Sequence, residues 1–549
     1  MAPSKFMDLS VDVKTLIVQH VIRPTDLKNL CLTCKNLHEI TVRQLYQEVT
    51  LDVGSPSDTK LSAFLNPKNI GLPWVRKLDL YLADVLDKCN QLQQAHFAIR
   101  MILEFLPENI LDKFSWHPWS PFSGDNLILL YKKQKRMKWL EGIALDRTVP
   151  LTELEKIPSF DETFQNVKKL GLYPDSRDVL EYCQMLVKKA PKVEKITLHA
   201  SFDDSESALT NRELNDSSTG PGLITSTMFN SLQPFEKCTP IGLREITLQK
   251  INLRYAAETY CKFINFRNIK SLRVFACPGA DALLAELTKS TKLPEKLETL
   301  EFKHDDNVEN DALNALDGFL CLVSGIKILT IDITYAKALP AAAGIVRHAK
   351  TLKELNVHAS TVDDIEHEHI YTFPDFQSIC NDCTLLEQIS AAFPNTSVIR
   401  HNSDQFLAFE TCLGALRNLV TLNITTWPNN NPSSSKLPLK VYEHLLGGMA
   451  QQGFERSAAH AKTHDRSSRL NVIAFGSSDK VYDREDSKNQ IIFVKGKSVD
   501  PLGKEKPMAI QVGWCLRKFI EPRSDVLDFS LSRTTRPPTR ESPTSDDSD

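Results

Sequence analysis

Three short apolar runs at helical spacing open the chain. Val13, Leu16, Ile17 and Val21 fall on one face, behind Ser10 as a capping residue and Asp12 in the first turn. Pro24 ends that run. Thr25 can cap a second helix with Leu27, Leu30, Cys31 and Cys34 as its apolar side, and Asn36 can start a third carrying Leu37, Ile40, Leu45 and Tyr46. Val18 and Ile22 widen the first apolar band beyond what two small neighbours cover. About 40 residues bury too little surface to be very stable alone, so this hook needs a partner or the rest of the chain.

A second pattern governs most of the remaining sequence, with an apolar residue at i, i+3 and i+5. It appears in VRKLDL from Val75, LEGIAL from Leu140, VKKLGL from Val167, VEKITL from Val193, LREITL from Leu243 and IKSLRV from Ile269. It continues in LETLEF from Leu297, IKILTI from Ile326, LKELNV from Leu352, LEQISA from Leu386, LVTLNI from Leu419 and LNVIAF from Leu470, with a weaker copy, LDKFSW, at Leu111. The shortest steps are 26 to 29 residues, the period of a leucine-rich repeat. Residues i+3 and i+5 share one face of a strand and enter a core, whereas i+2, i+4 and i+6 point the other way. The segments between return the chain, and several read as helices, such as DVLEYCQMLVKKAPKV with Val179, Leu180, Cys183 and Leu186 on one side. The pattern predicts an α/β fold, a curved leucine-rich-repeat solenoid with parallel strands on its concave face and helices on its convex face.

KKAPKV, RHAKTL and NDCTLL place a small residue three positions before the first apolar one. They resemble the cysteine-type repeats, with Ala usually in place of Cys. Residues 203–222 and 427–438 are polar and read as insertions. After Leu470, IIFVKGK and MAIQVGWCLRKFI alternate like paired strands, which predicts a C-terminal cap over 481–530. The polar, Pro-rich remainder, 531–549, reads as a disordered tail in which Ser542-Pro543 is a candidate phosphorylation site beside the plainer reading of an unmodified tail.

The segment LSVDVKTLIVQHVIRPTDLKNLCLTCKNLHEITVRQLY resembles an F-box. Leu9, Val13, Ile17, Asp26-Leu27, Cys34-Lys35 and Leu45-Tyr46 stand in the family's order, with Ser10 where Pro is usual, Asp12 for Glu and Leu37 where an aromatic is common. The resemblance covers roughly 40 residues, under a tenth of the chain. It implies docking onto a Skp-type adaptor, and through it a cullin scaffold, with Leu9, Val13, Leu16, Ile17, Leu27 and Leu30 contributing to the contact. The organisation expected is an F-box over 1–50, a linker over 51–74 and the solenoid over 75–480. The chain is then the substrate receptor of an SCF-type ubiquitin ligase. The alternative is a repeat scaffold with no ligase link, its three helices being an ordinary cap.

Composition narrows the partners. With 66 basic and 69 acidic residues the net charge is −3, which gives no reason to expect nucleic acid or membrane. No apolar stretch is long enough to span a bilayer, no secretory signal opens the chain, and 12 scattered cysteines suit reduced thiols, so an intracellular protein is expected. His367, His369, Cys380 and Cys383 have zinc-like spacing, but Cys383 occupies a repeat lead-in and Cys380 lies one helical turn earlier, so core packing is the preferred reading. Cys31-x-x-Cys34 belongs to the second helix. The basic run YKKQKRMKW at 131–139 suits phosphate, an acidic peptide or an import receptor, or else is a solvated helix face. No phosphate loop, nucleophile elbow or His-Glu-x-x-His helix appears. The chain is read as a binding protein, not an enzyme, with no cofactor and no metal.

An unknown protein substrate is expected on the strand face. The i+6 column there includes Tyr81, Tyr173, His199, Phe275, Lys303, Asp332 and His358, and the i+4 column Arg273, Glu301 and Asn356. Aromatic and Arg anchors concentrate interface energy, so Phe275 beside Arg273 is the expected centre. The competing expectation is that Phe275 packs under 203–222.

Overall fold

The structure, a computed structural model, describes residues 6–527 apart from 22–23, 55–58, 83–87, 117–121, 143–155, 157–159, 175–176, 201–222, 231–240, 290, 307–310, 362–367, 400–402, 430–436, 477–489, 500–502, 504, 514–519 and 521–526. Two compact units make up the chain, Met1–Ile269 and Lys270–Asp549.

The first unit opens with helices α1 (Val11–Gln19), α2 (Pro24–Cys31) and α3 (Lys35–Leu45). Ser10 Oγ accepts from Val13 N at 3.4 Å and caps α1. Pro24 begins α2, where its missing N–H is one of the donors a helix leaves unpaired anyway. Val18, Leu27 and Ile40 form a small core, with Val21, Leu30 and Leu45 packed against it.

Seven strands come next, parallel and neighbouring in chain order: β1 (Glu48–Asp52), β2 (Lys77–Tyr81), β3 (Lys113–Trp116), β4 (Trp139–Gly142), β5 (Lys169–Leu172), β6 (Lys195–His199) and β7 (Glu245–Gln249). The repeats begin one strand earlier than the apolar pattern indicates. Glu48 pairs with Lys77 and Asp52 with Tyr81, so the expected linker 51–74 lies within a full repeat with its own helix at Thr59–Phe64 and a 3-10 turn at Leu72–Trp74. That register gives Tyr46 the place of Val75. An aromatic at position i, next to a helical run, hides the repeat. The copy at Leu140 is corrected too. Leu140 pairs with Leu170, so the repeat starts at Met137, which is buried. Gly142 at i+5 breaks the apolar pattern there and makes the later frame look better.

One hydrogen-bond arrangement recurs between the parallel strands within each unit. The carbonyl of Arg76 accepts from Asp112 N at 2.7 Å and Lys113 N at 3.1 Å. The carbonyls of Asp112, Lys138, Lys168 and Glu194 accept from the corresponding two amides of the next repeat. In the second unit those of Lys270, Glu298, Lys327, Lys353, Glu387 and Val420 do the same. Within each unit the parallel strands after the first therefore start against a fixed carbonyl of their predecessor.

The second unit has β8 (Ser271–Phe275), β9 (Thr299–Asp305), β10 (Ile328–Thr334), β11 (Glu354–Ala359), β12 (Gln388–Ala391), β13 (Thr421–Ile424) and β14 (Val472–Phe475), again parallel and in chain order. Leu300, Phe302, Leu329, Ile331, Leu355 and Val357, the i+3 and i+5 residues, are at most 1% exposed. The intervening helices bury apolar residues of their own, as in Asp311–Leu322 with Leu313, Leu316, Phe319 and Leu320. Each unit is thus a stack of strand–helix repeats of the leucine-rich type.

The direction changes at the end. β15 (Ile491–Val499) pairs antiparallel with β14, and β16 (Glu505–Val512) antiparallel with β15. Ile520 and Leu527 join Val472, Ala474 and Ile492 in a separate apolar cluster. The helix Leu439–Thr463 packs along these strands, and Gln451 accepts from Ala509 N and donates to Pro507 O, capping the outer strand's backbone. The expected insertion 203–222, most of 427–438 and the tail 531–549 lie outside the described residues. Among the described residues no helix is long and apolar enough to cross a membrane.

Candidate protein-interaction surfaces

The N-terminal helices divide their apolar residues between an inner core and an outer face. Val13, Leu16 and Ile17 are exposed, at 41%, 58% and 41%. The α1 stripe is wider than its two neighbours cover. Leu9 and Leu30 are half-buried. Leu27 is a correction: it lies inside the three-helix core at 5% exposure and is not available to a partner. The helices also abut the first repeat, with Tyr46 against Gly71 and the Arg43 guanidinium 4.3 Å from the Trp74 ring centroid.

In the second unit the expected substrate columns are brought together, but they mostly satisfy one another. Arg273 Nε lies 2.8 Å from Glu301 Oε1, and Lys303 Nζ 2.8 Å from Asp332 Oδ2. His358 places Nδ1 2.7 Å from Asp332 Oδ1 and Nε2 2.7 Å from Glu368 Oε1. Glu368 comes from the segment after β11, held by an antiparallel bridge to Ser360, by His369 Nε2 donating to Ala336 O, and by Thr425 Oγ1 donating to Glu368. Burial alone would depress the His358 pKa, but hydrogen bonds to both carboxylates outweigh it and raise it to about 10. Burial opposes ionisation of Asp332, yet His358 and Lys303 pull its carboxyl down to about 2.

Six of the expected substrate contacts are therefore corrected. Phe275 is 1% exposed, and His199, Glu301, Asp332, Asn356 and His358 are buried as well. Strand periodicity gives the side on which a residue points, but not what crosses that side. Arg273 and Lys303 keep partial exposure.

The first unit differs. Tyr81 and Tyr173 are half-buried, and Tyr173 stands edge-on to His199 with centroids 6.4 Å apart. A Cβ at Gly171 would come within 2.8 Å of the Tyr173 hydroxyl, so this side chain lies back over its own strand. The more continuous feature is at i+2, where Lys77, Lys113, Trp139, Lys169 and Lys195 occupy paired positions on five neighbouring strands. Lys113 Nζ sits 4.2 Å and Lys169 Nζ 5.4 Å from the Trp139 ring centroid. At i+4, Glu141 is buried beside Lys113 and accepts from Ser115 Oγ. Burial pushes its pKa up to about 7 against the pull of Lys113. The sequence carries this row openly: VRK, LDK, VKK and VEK all have Lys third. It lies at the strand starts, outside the i+4 and i+6 columns where the substrate contacts are expected.

Cys380 and Cys383 are buried, and burial pushes both thiols up, Cys383 to about 12. His367 lies outside the described residues, among which no group of three or more His, Cys, Asp or Glu is placed to hold a metal. In the basic run, Tyr131 is buried with its hydroxyl bonded to Tyr182, and Trp139 belongs to β4.

No family model matches the chain, and no curated protein matches it significantly. Among solved structures it is similar to the Rad7 and Elc1 complex from yeast, at 11% identity over 80% of this chain and 85% of that chain, with a TM-score of 0.35. It is also similar to the TLR13–ssRNA13 complex, at 13% identity over 70% of this chain and 44% of that chain, with a TM-score of 0.26. Likenesses this distant leave the fold to rest on the strand register itself.

Proposed function

We propose that the chain is a substrate receptor of an SCF-type ubiquitin ligase, docking a Skp-type adaptor through its N-terminal helices and a protein substrate through its repeats. The observation that carries this is the outward apolar face of α1, where Val13, Leu16 and Ile17 stand exposed beside a core that is already closed. Covering Val13, Leu16 and Ile17 is worth about 1 to 2 kcal/mol each, because each is partly covered already. The F-box-like order of residues supplies the identity of the occupant. In this reading the chain does no chemistry and raises the local concentration of substrate near the ubiquitin carrier.

A second reading is a repeat scaffold whose helices only close the first repeat. The packing of Tyr46 on Gly71 and of Arg43 over Trp74 favours it. The two differ at α1, since a mere cap has no use for its outer face. The test is affinity purification of the full chain beside one carrying Leu16→Asp and Ile17→Asp. The receptor reading expects a Skp-type adaptor with the first and not with the second, both remaining folded. Retention of the adaptor by the double variant, or its absence from both, rejects that reading.

A further inference from the structure

We infer that the strand face of the first unit is a docking surface for an acidic peptide segment, centred on the row Lys77–Lys113–Trp139–Lys169–Lys195. The inference stands whether or not the N-terminal helices engage an adaptor.

Like charges directly opposite one another on neighbouring strands destabilise a sheet. The row nevertheless sets four lysines around one tryptophan in register. Its ends are neutralised within the chain, Lys77 by Glu48 at 3.1 Å and Lys195 by Glu245 at 2.8 Å. Lys113 lies 3.6 Å from both Asp79 and Glu141. Lys169 is different. It is exposed, it acts on the Glu194 carboxylate through its charge without a direct ion pair among the described residues, and its ammonium has the Trp139 ring beside it. The Lys77–Glu48 pair is half-exposed on both sides, and such pairs contribute little, so an incoming carboxylate can exchange for Glu48 at small cost. In the second unit the i+2 positions carry Ser271, Thr299, Ile328 and Glu354 and no run of cations, while the i+4 and i+6 side chains beside them are bonded among themselves.

The dimensions select an extended chain. Four inter-strand steps of about 4.8 Å set Lys77 and Lys195 about 19 Å apart, a span that about six extended residues cover at about 3.3 Å each. Asp79 and Glu141 stand in the next column, two residues along their strands, so the cationic strip is one line wide. A single-stranded nucleic acid could follow that line only by stacking bases on the aromatic ring. Trp139 is already approached by Lys113 from β3 and by Lys169 from β5. With two ammonium groups already within 5.4 Å of the ring centroid, a base would have to displace them to stack, which favours carboxylates on a peptide.

The experiment titrates the full-length chain with dye-labelled hexaglutamate at low ionic strength, reading anisotropy and tryptophan emission. Binding that weakens with salt is expected, together with a change of emission that Trp139→Phe removes. Lys169→Glu should weaken binding about tenfold, as for loss of a close charge pair, with an unchanged circular dichroism spectrum and melting curve. Lys497→Glu, an equal charge change at an exposed position of β15 in the second unit, should leave binding unaltered. Absence of binding, equal loss in K169E and K497E, or unchanged affinity in K169E overturns the proposal. Tighter binding of a twelve-residue oligothymidylate, with the same sensitivity to K169E, replaces the peptide with nucleic acid.

Discussion

Asp332 Oδ1 lies 2.7 Å from Nδ1 of His358, and with Glu368 on the opposite ring nitrogen the imidazole has to donate from both sides. It is therefore held as a cation inside the second unit. His358 titrates near pH 10 when folded and near 6.5 when unfolded, so its contribution is complete below about pH 6.5 and disappears as pH rises through about 10. Asp332 works in the opposite direction: its contribution is present above about pH 3.8 and is lost as pH falls through about 2. Replacing His358 by Gln removes the cation between two buried carboxylates, leaving Lys303 on Asp332 and the Thr425 hydroxyl on Glu368, and should cost about 3 to 5 kcal/mol at neutral pH. Urea midpoints from pH 6 to 10.5 check this. A parent and an H358Q protein with parallel alkaline limbs would contradict it.

His348 behaves oppositely. Burial, with the Arg347 charge beside it, holds its pKa down to about 4. The unfolded chain takes up this proton first as pH drops below about 6.5, so folding weakens progressively between there and pH 4. His348→Leu should flatten that acidic limb. Denaturation midpoints at pH 7.5 and pH 5 measure it, and an identical pH 5 loss in both proteins would assign the limb to other groups.

Gln134 is the hinge of a different dependency. Its Oε1 accepts from Ile110 N and Leu111 N, each at 3.0 Å, and its Nε2 donates to Pro107 O at 2.8 Å. Gln134→Ala leaves two amides without their acceptor and should destabilise the first unit by about 2 to 6 kcal/mol, at about 1 to 3 per buried unpaired group. Accelerated hydrogen exchange at residues 110 and 111 would accompany it. Unchanged exchange there would show that the side chain is not the acceptor in solution.

Phe275 is expected to matter for folding instead of recognition. With 1% exposure, its replacement by Ala should cost about 3 to 5 kcal/mol. Arg273→Ala, at a partly exposed ion pair, should cost less. A thermal melt orders the two, and equal melting temperatures would place Phe275 at the surface after all.

The strand frame is readable because Leu300 and Phe302, or Leu355 and Val357, recur at fixed spacing, and the same spacing sets both the pleat and the repeat. Met137 and Tyr46 escape because they are unusual occupants of position i. Their repeats are defined by pairing with a neighbour, which a single segment does not contain. The candidate site is less legible. His358 and Asp332 do lie on the face away from the strand core, but their burial depends on Glu368, ten residues further along the chain from His358, and no local pattern encodes that return. Trp139 and Lys169 emerge only from a column comparison across repeats, at a position where polar residues ordinarily carry no information about folding.

Because the parallel strands within a unit start against one carbonyl of their predecessor, the same register is reached over return paths of different length. Lys168 and Glu194 are 26 residues apart, Lys195 and Glu245 are 50 apart, and the same pair of amides meets the same carbonyl in both steps. The molecule thus separates two kinds of variation. Change within the strand starts propagates to every later repeat, whereas the return paths between them can lengthen, shorten or acquire new binding segments without any neighbour having to shift. Loop closure adds only about 0.6 kcal/mol per doubling of length, so a foreign segment grafted into a return path should be carried as cargo while the ladder beside it stays in step.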